Sequence, residues 1–242
     1  MPRTPDDPAA PPADRSAKKR PHYHGHRQRL RERFVATGGD GMPDYELLEL
    51  LLAQAIPRRD VKPLAKDLLE QFGSFAGVIT ADLERLSAMK GMGDSSAAAL
   101  KVVQAAAVRL LQQQVLGRDV IDSWDRLVDY CTAAMAHEPI EQLRLLFLDR
   151  KNVLIADEVQ QQGTVDHTPL YTREVVKRAL ELSASALIVV HNHPSGDATP
   201  SQGDIKMTQD LREALEKIGI ALHDHLVIGR HGHESFRAKG LL

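Results

Sequence analysis

Cysteine is almost missing from this chain: Cys131 is the single one among 242 residues. An intrachain disulfide is therefore excluded, and so is any metal site built from cysteine pairs, which leaves histidine and carboxylate as ligands. Cys131 lies in WDRLVDYCTAAMA, an amphipathic helical pattern in which it reads as packing. Long apolar runs are missing too. None approaches the roughly 20 residues that cross a bilayer, and the opening MPRTPDDPAAPPADRSAKKR lacks the apolar centre of a signal peptide. No membrane partner and a cytoplasmic location are the expectation. Net charge is small, -2, but unevenly spread: Arg15 to Arg33 carry eight Lys or Arg against one Glu, and the chain beyond is acidic. Any nucleic-acid affinity should therefore concentrate near the N-terminus.

With 43% hydrophobic residues the chain can bury one large core or two small ones. Residues 1–20, rich in Pro, Ala, Asp and Lys, read as a disordered tail. Residues 21–116 read as an all-helical domain, from three- and four-residue apolar spacing in YELLELLLAQAI, VKPLAKDLLEQF, LERLSAM and AAALKVVQAAAVRLL. Asp44, Asp60, Thr80 and Asp94 are expected as N-caps. LGRDV, 116–120, reads as a linker. Over 117–242 the period changes: LRLLFLD, VLIADEV, ALIVVH and HDHLVIG read as strands, TREVVKRALELS and SQGDIKMTQDLREALEKIG as helices. The fold class expected is α+β, a helical domain followed by an α/β/α domain with a mixed sheet.

Nine of the eleven histidines alternate: His22, His24 and His26; His191 and His193; His223 and His225; His231 and His233. Spacing alone therefore selects no site, and context must. His191 and His193 follow ALIVV, where a buried strand leaves its sheet, and i and i+2 in extended chain point to one side. After the PSGDA turn, Thr199 and Pro200 look like an N-cap and first helical residue. Ser201 and Asp204 then share one face of the first turn, which can bring Asp204 to the imidazoles and Ser201 beside them. Two histidines and a carboxylate with an open fourth position suit a metal such as zinc. Among the other clusters, His22 to His26 suggest phosphate contact or solvation, His231 and His233 a hairpin surface, and His223 and His225 ligation or support of a ligand.

LSAMKGMGDSSAAALKVV is similar to a helix-hairpin-helix, in which Gly91 and Gly93 let backbone N–H groups approach DNA phosphates and Lys90 adds a charge. The same turn also serves simply to join two packed helices, and Asp94 opposes a phosphate. The basic segment from Arg15 to Arg33 is a separate DNA candidate, equally readable as a solvated tail.

The spacing His191-x-His193, seven residues, Ser201, two residues, Asp204 resembles the JAMM motif of the JAB1/MPN metalloprotease superfamily. The wider stretch EVQQQGTVDHTPLYTREVVKRALELSASALIVVHNHPSGDATPSQGD resembles the RadC family. The resemblance implies one zinc ion per chain on His191, His193 and Asp204. It also implies a glutamate as general acid/base, for which Glu158 in DEVQQQGT is the best match. Ser201 would donate a hydrogen bond to the oxyanion. Asn192 departs from the Ser or Thr of the eukaryotic proteases and puts a deubiquitinase substrate in doubt. The leading expectation is a zinc metallopeptidase acting on a protein or peptide. A DNA-repair accessory protein with a structural or vestigial zinc site is the alternative, and a nuclease the third reading.

Overall fold

The computed structural model describes residues 23–162 and 170–242. The expected tail over 1–20 and His22 lie outside them. The described helices are α1 (Tyr23–Thr37), α2 (Asp44–Ala55), α3 (Lys62–Phe72), α4 (Phe75–Thr80), α5 (Leu83–Ser87), α6 (Asp94–Val115), α7 (Trp124–Met135), α8 (Thr172–Glu181) and α9 (Gln202–Glu216). The strands are β1 (Gln142–Leu148), β2 (Leu154–Gln162), β3 (Ala186–Asn192), β4 (Ala221–Gly229) and β5 (Gly232–Ser235). None of the described helices is long and apolar enough to cross a membrane. The chain divides into two compact units after Asp67.

In the first unit the arginines of α1 do not form one basic face. Arg27 is buried and its guanidinium donates to the carbonyls of Ile56, Pro57 and Arg59, beyond the last turn of α2. Arg33 pairs with Glu46, and His26 Nε2 is 3.0 Å from the buried Glu49 carboxylate. These groups hold α1 against α2, so the basic segment from Tyr23 on is a packed helix, with Arg29 and Arg31 exposed. Of the expected caps, Asp60 accepts the Lys62 amide, whereas Pro43, Asp82 and Gly93 stand at the N-cap positions of α2, α5 and α6. Thr80 instead closes α4, its hydroxyl donating back to the Ala76 carbonyl.

The second unit is three-layered, so the fold is α+β as expected. Its sheet runs β2-β1-β3-β4-β5, with β3 and β4 parallel and the other neighbours antiparallel. All seven residues of β3 are buried, which is why ALIVVHN reads as an apolar run without alternation. On one face, Leu146, Leu148, Ile188, Val190, Leu226 and Ile228 pack with α7 and the end of α6. On the other, Leu143, Leu145, Phe147, Leu187, Val189 and Leu222 pack with α8 and α9. The turn from β1 to β2 is closed by Asp149, whose carboxylate accepts from Lys151 and Val153, while Asn152 takes the left-handed conformation at φ 58°. The stretch expected as a linker is paired: Leu154 exchanges backbone bonds with Gly117 and Arg118, and Val120 is fully buried.

Candidate metal centre

Two segments meet at the carboxyl end of β3. His191 is the penultimate residue of that strand, and the His193 amide still bonds Ile228 O of β4 at 2.9 Å. A turn with Gly196 at φ 94° reverses the chain, and α9 begins at Gln202. The cap of α9 is Ser201, two residues later than the expected Thr199. Its hydroxyl oxygen accepts the Asp204 amide at 3.1 Å, and the Asp204 carboxylate accepts the Ser201 amide at 2.7 Å. This reciprocal cap aims the Asp204 carboxylate back at the strand end. The Ser201 oxygen is committed to the cap as acceptor, while its proton stays available to donate.

The imidazoles of His191 and His193 and the Asp204 carboxylate converge, with one ligand atom from each within 4.8 Å of the others. The two Nε2 atoms are 2.9 Å apart, and each lies within 3.5 Å of an Asp204 oxygen. Burial pushes the Asp204 carboxyl up, but the adjacent imidazoles of His191 and His193 outweigh that and hold it far below the usual range. The Asp204 hydrogen bond raises His193 against the opposing effect of burial, helped by the Asp197 carbonyl and by the Asp204 and Glu141 charges. The N₂O donor set fits a zinc ion with an open coordination position. The outer nitrogens fit as well: His193 Nδ1 lies 2.7 Å from the Asp197 carbonyl, to which only an N–H can bond, so its Nε2 is the free donor in the neutral ring. His191 Nδ1 is 2.7 Å from His225 Nε2. His225, expected as ligand or support, is therefore in the supporting position. It is fully buried, stacked on Phe236, and burial lowers its pKa well below the ordinary histidine value.

Residues 121–241 match the RadC-like JAB domain, and residues 24–98 match the UPF0758 N-terminal domain. The chain is 62% identical over 213 residues to a UPF0758 protein of Rhodobacter capsulatus, covering 88% of this chain and all of the relative. It is 59% identical over 221 residues to a UPF0758 protein of Ruegeria pomeroyi, covering 91% and 99%. The chain belongs to the RadC family.

Within this RadC-like domain, Glu158 does not join the three ligand residues, which corrects its expected place. It sits on β2 opposite Leu145, with β1 between it and β3, and Arg178 of α8 binds both its carboxylate oxygens at 2.9 and 3.0 Å. Two other nearby carboxylates, Asp157 and Glu174, are also engaged, the first buried against Arg144 and Tyr130, the second paired with Arg173. The acid beside the histidines is one that sequence reasoning missed. Leu143 pairs with His191 in the antiparallel β1–β3 ladder, so the register carried on by two residues sets Glu141 opposite His193. Glu141 and the ligand residues line one cleft of about 1080 Å³, walled also by Phe72, Arg85, His137, Met207 and Arg230. Asn192, between the two histidines, faces the other way and ties down the approach to β1. Its Oδ1 accepts the Gln142 amide at 2.8 Å and its Nδ2 donates to Ile140 O at 3.2 Å.

The remaining sequence candidates lie elsewhere. His223 bonds Asn152, and His231 and His233 are exposed around the β4–β5 turn. Lys90 and Gly93 are exposed at the turn before α6, Gly91 has φ 97°, and the Gly93 amide donates to Ser96 Oγ at 2.9 Å.

Proposed function

We propose that this RadC-family protein is a zinc-dependent hydrolase that cleaves a peptide or isopeptide bond. The observation that carries the reading is the convergence of His191, His193 and Asp204 on the wall of a large cleft that also holds a carboxylate, Glu141. When bound, a zinc ion supplies Lewis acidity, which brings water activation and carbonyl polarisation to neutral pH. Glu141 takes the proton from the attacking water and passes it to the leaving amine. The Ser201 hydroxyl, its oxygen held by the cap of α9, donates to the developing oxyanion, a contact of roughly 3 kcal/mol when well placed. Arg85, Arg230 and His137 line the same cleft and orient the substrate.

The deciding experiment is metal content and peptide hydrolysis for the purified chain and its His193→Ala and Asp204→Ala variants. About one zinc per chain, lost in both variants together with the activity, is the expected result. A chain that takes up no supplied zinc, or that hydrolyses peptides equally well without it, removes the proposal. The turn at Lys90, Gly91 and Gly93, in which Lys90 and Gly93 are exposed, favours a second reading, a DNA-binding accessory role, in which the same protein shifts DNA with an affinity that falls steeply with salt.

A further inference from the structure

We propose that Thr208 and His225 form a relay that decides which nitrogen of His191 carries the proton, and so makes its Nε2 a metal donor. The inference rests on the zinc reading above but concerns two residues that act only through His191 and Asp204.

The chain of contacts is closed and buried. Thr208 Oγ1 is 2.6 Å from the Asp204 backbone carbonyl and 2.6 Å from His225 Nδ1, and His225 Nε2 is 2.7 Å from His191 Nδ1. Thr208, His225 and His191 are each at most 1% exposed, so water does not substitute for these partners. A carbonyl can only accept, so the Thr208 proton goes to Asp204 and its oxygen accepts from His225 Nδ1–H. The His225 Nε2 is then bare and accepts from His191 Nδ1–H. His191 is left with a lone pair on Nε2, facing the Nε2 of His193 and the Asp204 carboxylate. The relay thus starts from the backbone of one ligand residue, Asp204, and ends at the ring of another, His191.

The rings cannot easily turn out of this order. The His225 amide is bound by the buried Asp224 carboxylate at 2.7 Å, Asp224 also holds Ser235 and the Arg237 amide, and Phe236 stacks on the His225 ring at 4.5 Å between centroids. The substitution Thr208→Val keeps the shape and removes the acceptor. His225 then avoids a buried, unpaired Nδ1–H by carrying its proton on Nε2, where it donates to His191 Nδ1. That forces the His191 proton onto Nε2, the position a metal needs.

Two measurements on the full chain test the relay. Nitrogen-15 NMR of the metal-free wild type is expected to show His191 and His225 both protonated on Nδ1, and Thr208→Val to move both protons to Nε2. Zinc titration against a chromophoric chelator is expected to show Thr208→Val weakened by about 10- to 100-fold, with Thr208→Ser within about threefold of wild type. A His191 whose Nδ1 carries no proton in the metal-free wild type overturns the relay, and this needs no variant to fold. So does a folded Thr208→Val chain that binds zinc as tightly as the wild type. Zinc uptake by the wild type decides the metal centre itself, and the tautomers of the metal-free chain decide the relay.

Discussion

The side chain of Asn192 accepts the Gln142 amide at 2.8 Å, joining the start of β1 to the end of β3, where Asn192 stands between the two histidines. Because Glu141 immediately precedes that amide, Asn192 is the tie that sets the carboxylate beside the metal ligands. Asn192→Ala leaves a buried N–H and the Ile140 carbonyl without this partner and should cost about 1–3 kcal/mol in denaturant unfolding. Zinc content should stay near wild type while hydrolysis falls, since no ligand is touched.

The two glutamates are separated by one comparison. Glu141→Gln should lower kcat/KM by about 10²- to 10⁴-fold with zinc retained. Glu158→Gln, which only weakens the ion pair to Arg178, should leave kcat/KM within a few fold. The reverse order of effects would return the proton shuttle to Glu158.

His191, His193 and Asp204 were legible because their geometry is local: a strand exit, a turn and a capped first helical turn within 191–204. The cap itself was misread by two residues, since Thr199 instead bonds the Asp197 carboxylate through both its amide and its hydroxyl. Glu141 was illegible because its place depends on the register of β1 against β3, which no local pattern encodes. Glu158 faces the same side of the sheet as His191, but it lies beyond β1 and an arginine of α8 claims it. The two-layer covering of the sheet was readable from the unbroken apolar run of β3, whereas the burial of Arg27 in a basic segment was not.

Gly229 closes β4 directly under the ligand loop. A β-carbon there would lie 2.4 Å from Gly196 O and 3.0 Å from the Ala198 amide, both backbone atoms. Gly229→Ala must therefore push the loop between His193 and Asp204, with an expected loss of about 1–3 kcal/mol. Zinc affinity should fall with it, measured by the same chelator competition, while Gly232→Ala, with open space around it, serves as the comparison for backbone strain at φ 155°.

Cys131 reports unfolding. Burial pushes its thiol up from 9.0 to about 12, with Asp157 adding to the shift. At pH 8 the native thiolate fraction is then about a thousandfold below that of an unfolded chain. Alkylation by iodoacetamide should accordingly follow the denaturant unfolding curve. The native state holds this proton more tightly, so the thiol's contribution to stability is intact below pH 9 and is lost as pH rises towards 12.

The ligand residues all come from one short stretch, whereas Glu141 arrives from the far end of an antiparallel neighbour. A denatured or nascent chain can already gather two imidazoles and a carboxylate across so small a loop, for which closure entropy is modest. Ion capture would then precede assembly of the sheet, and affinity for the unfolded ensemble would blunt any thermal stabilisation by zinc. Under the zinc-hydrolase proposal, metal stoichiometry and catalytic competence are for this reason separate quantities, and a preparation can be fully loaded while only its folded fraction turns over.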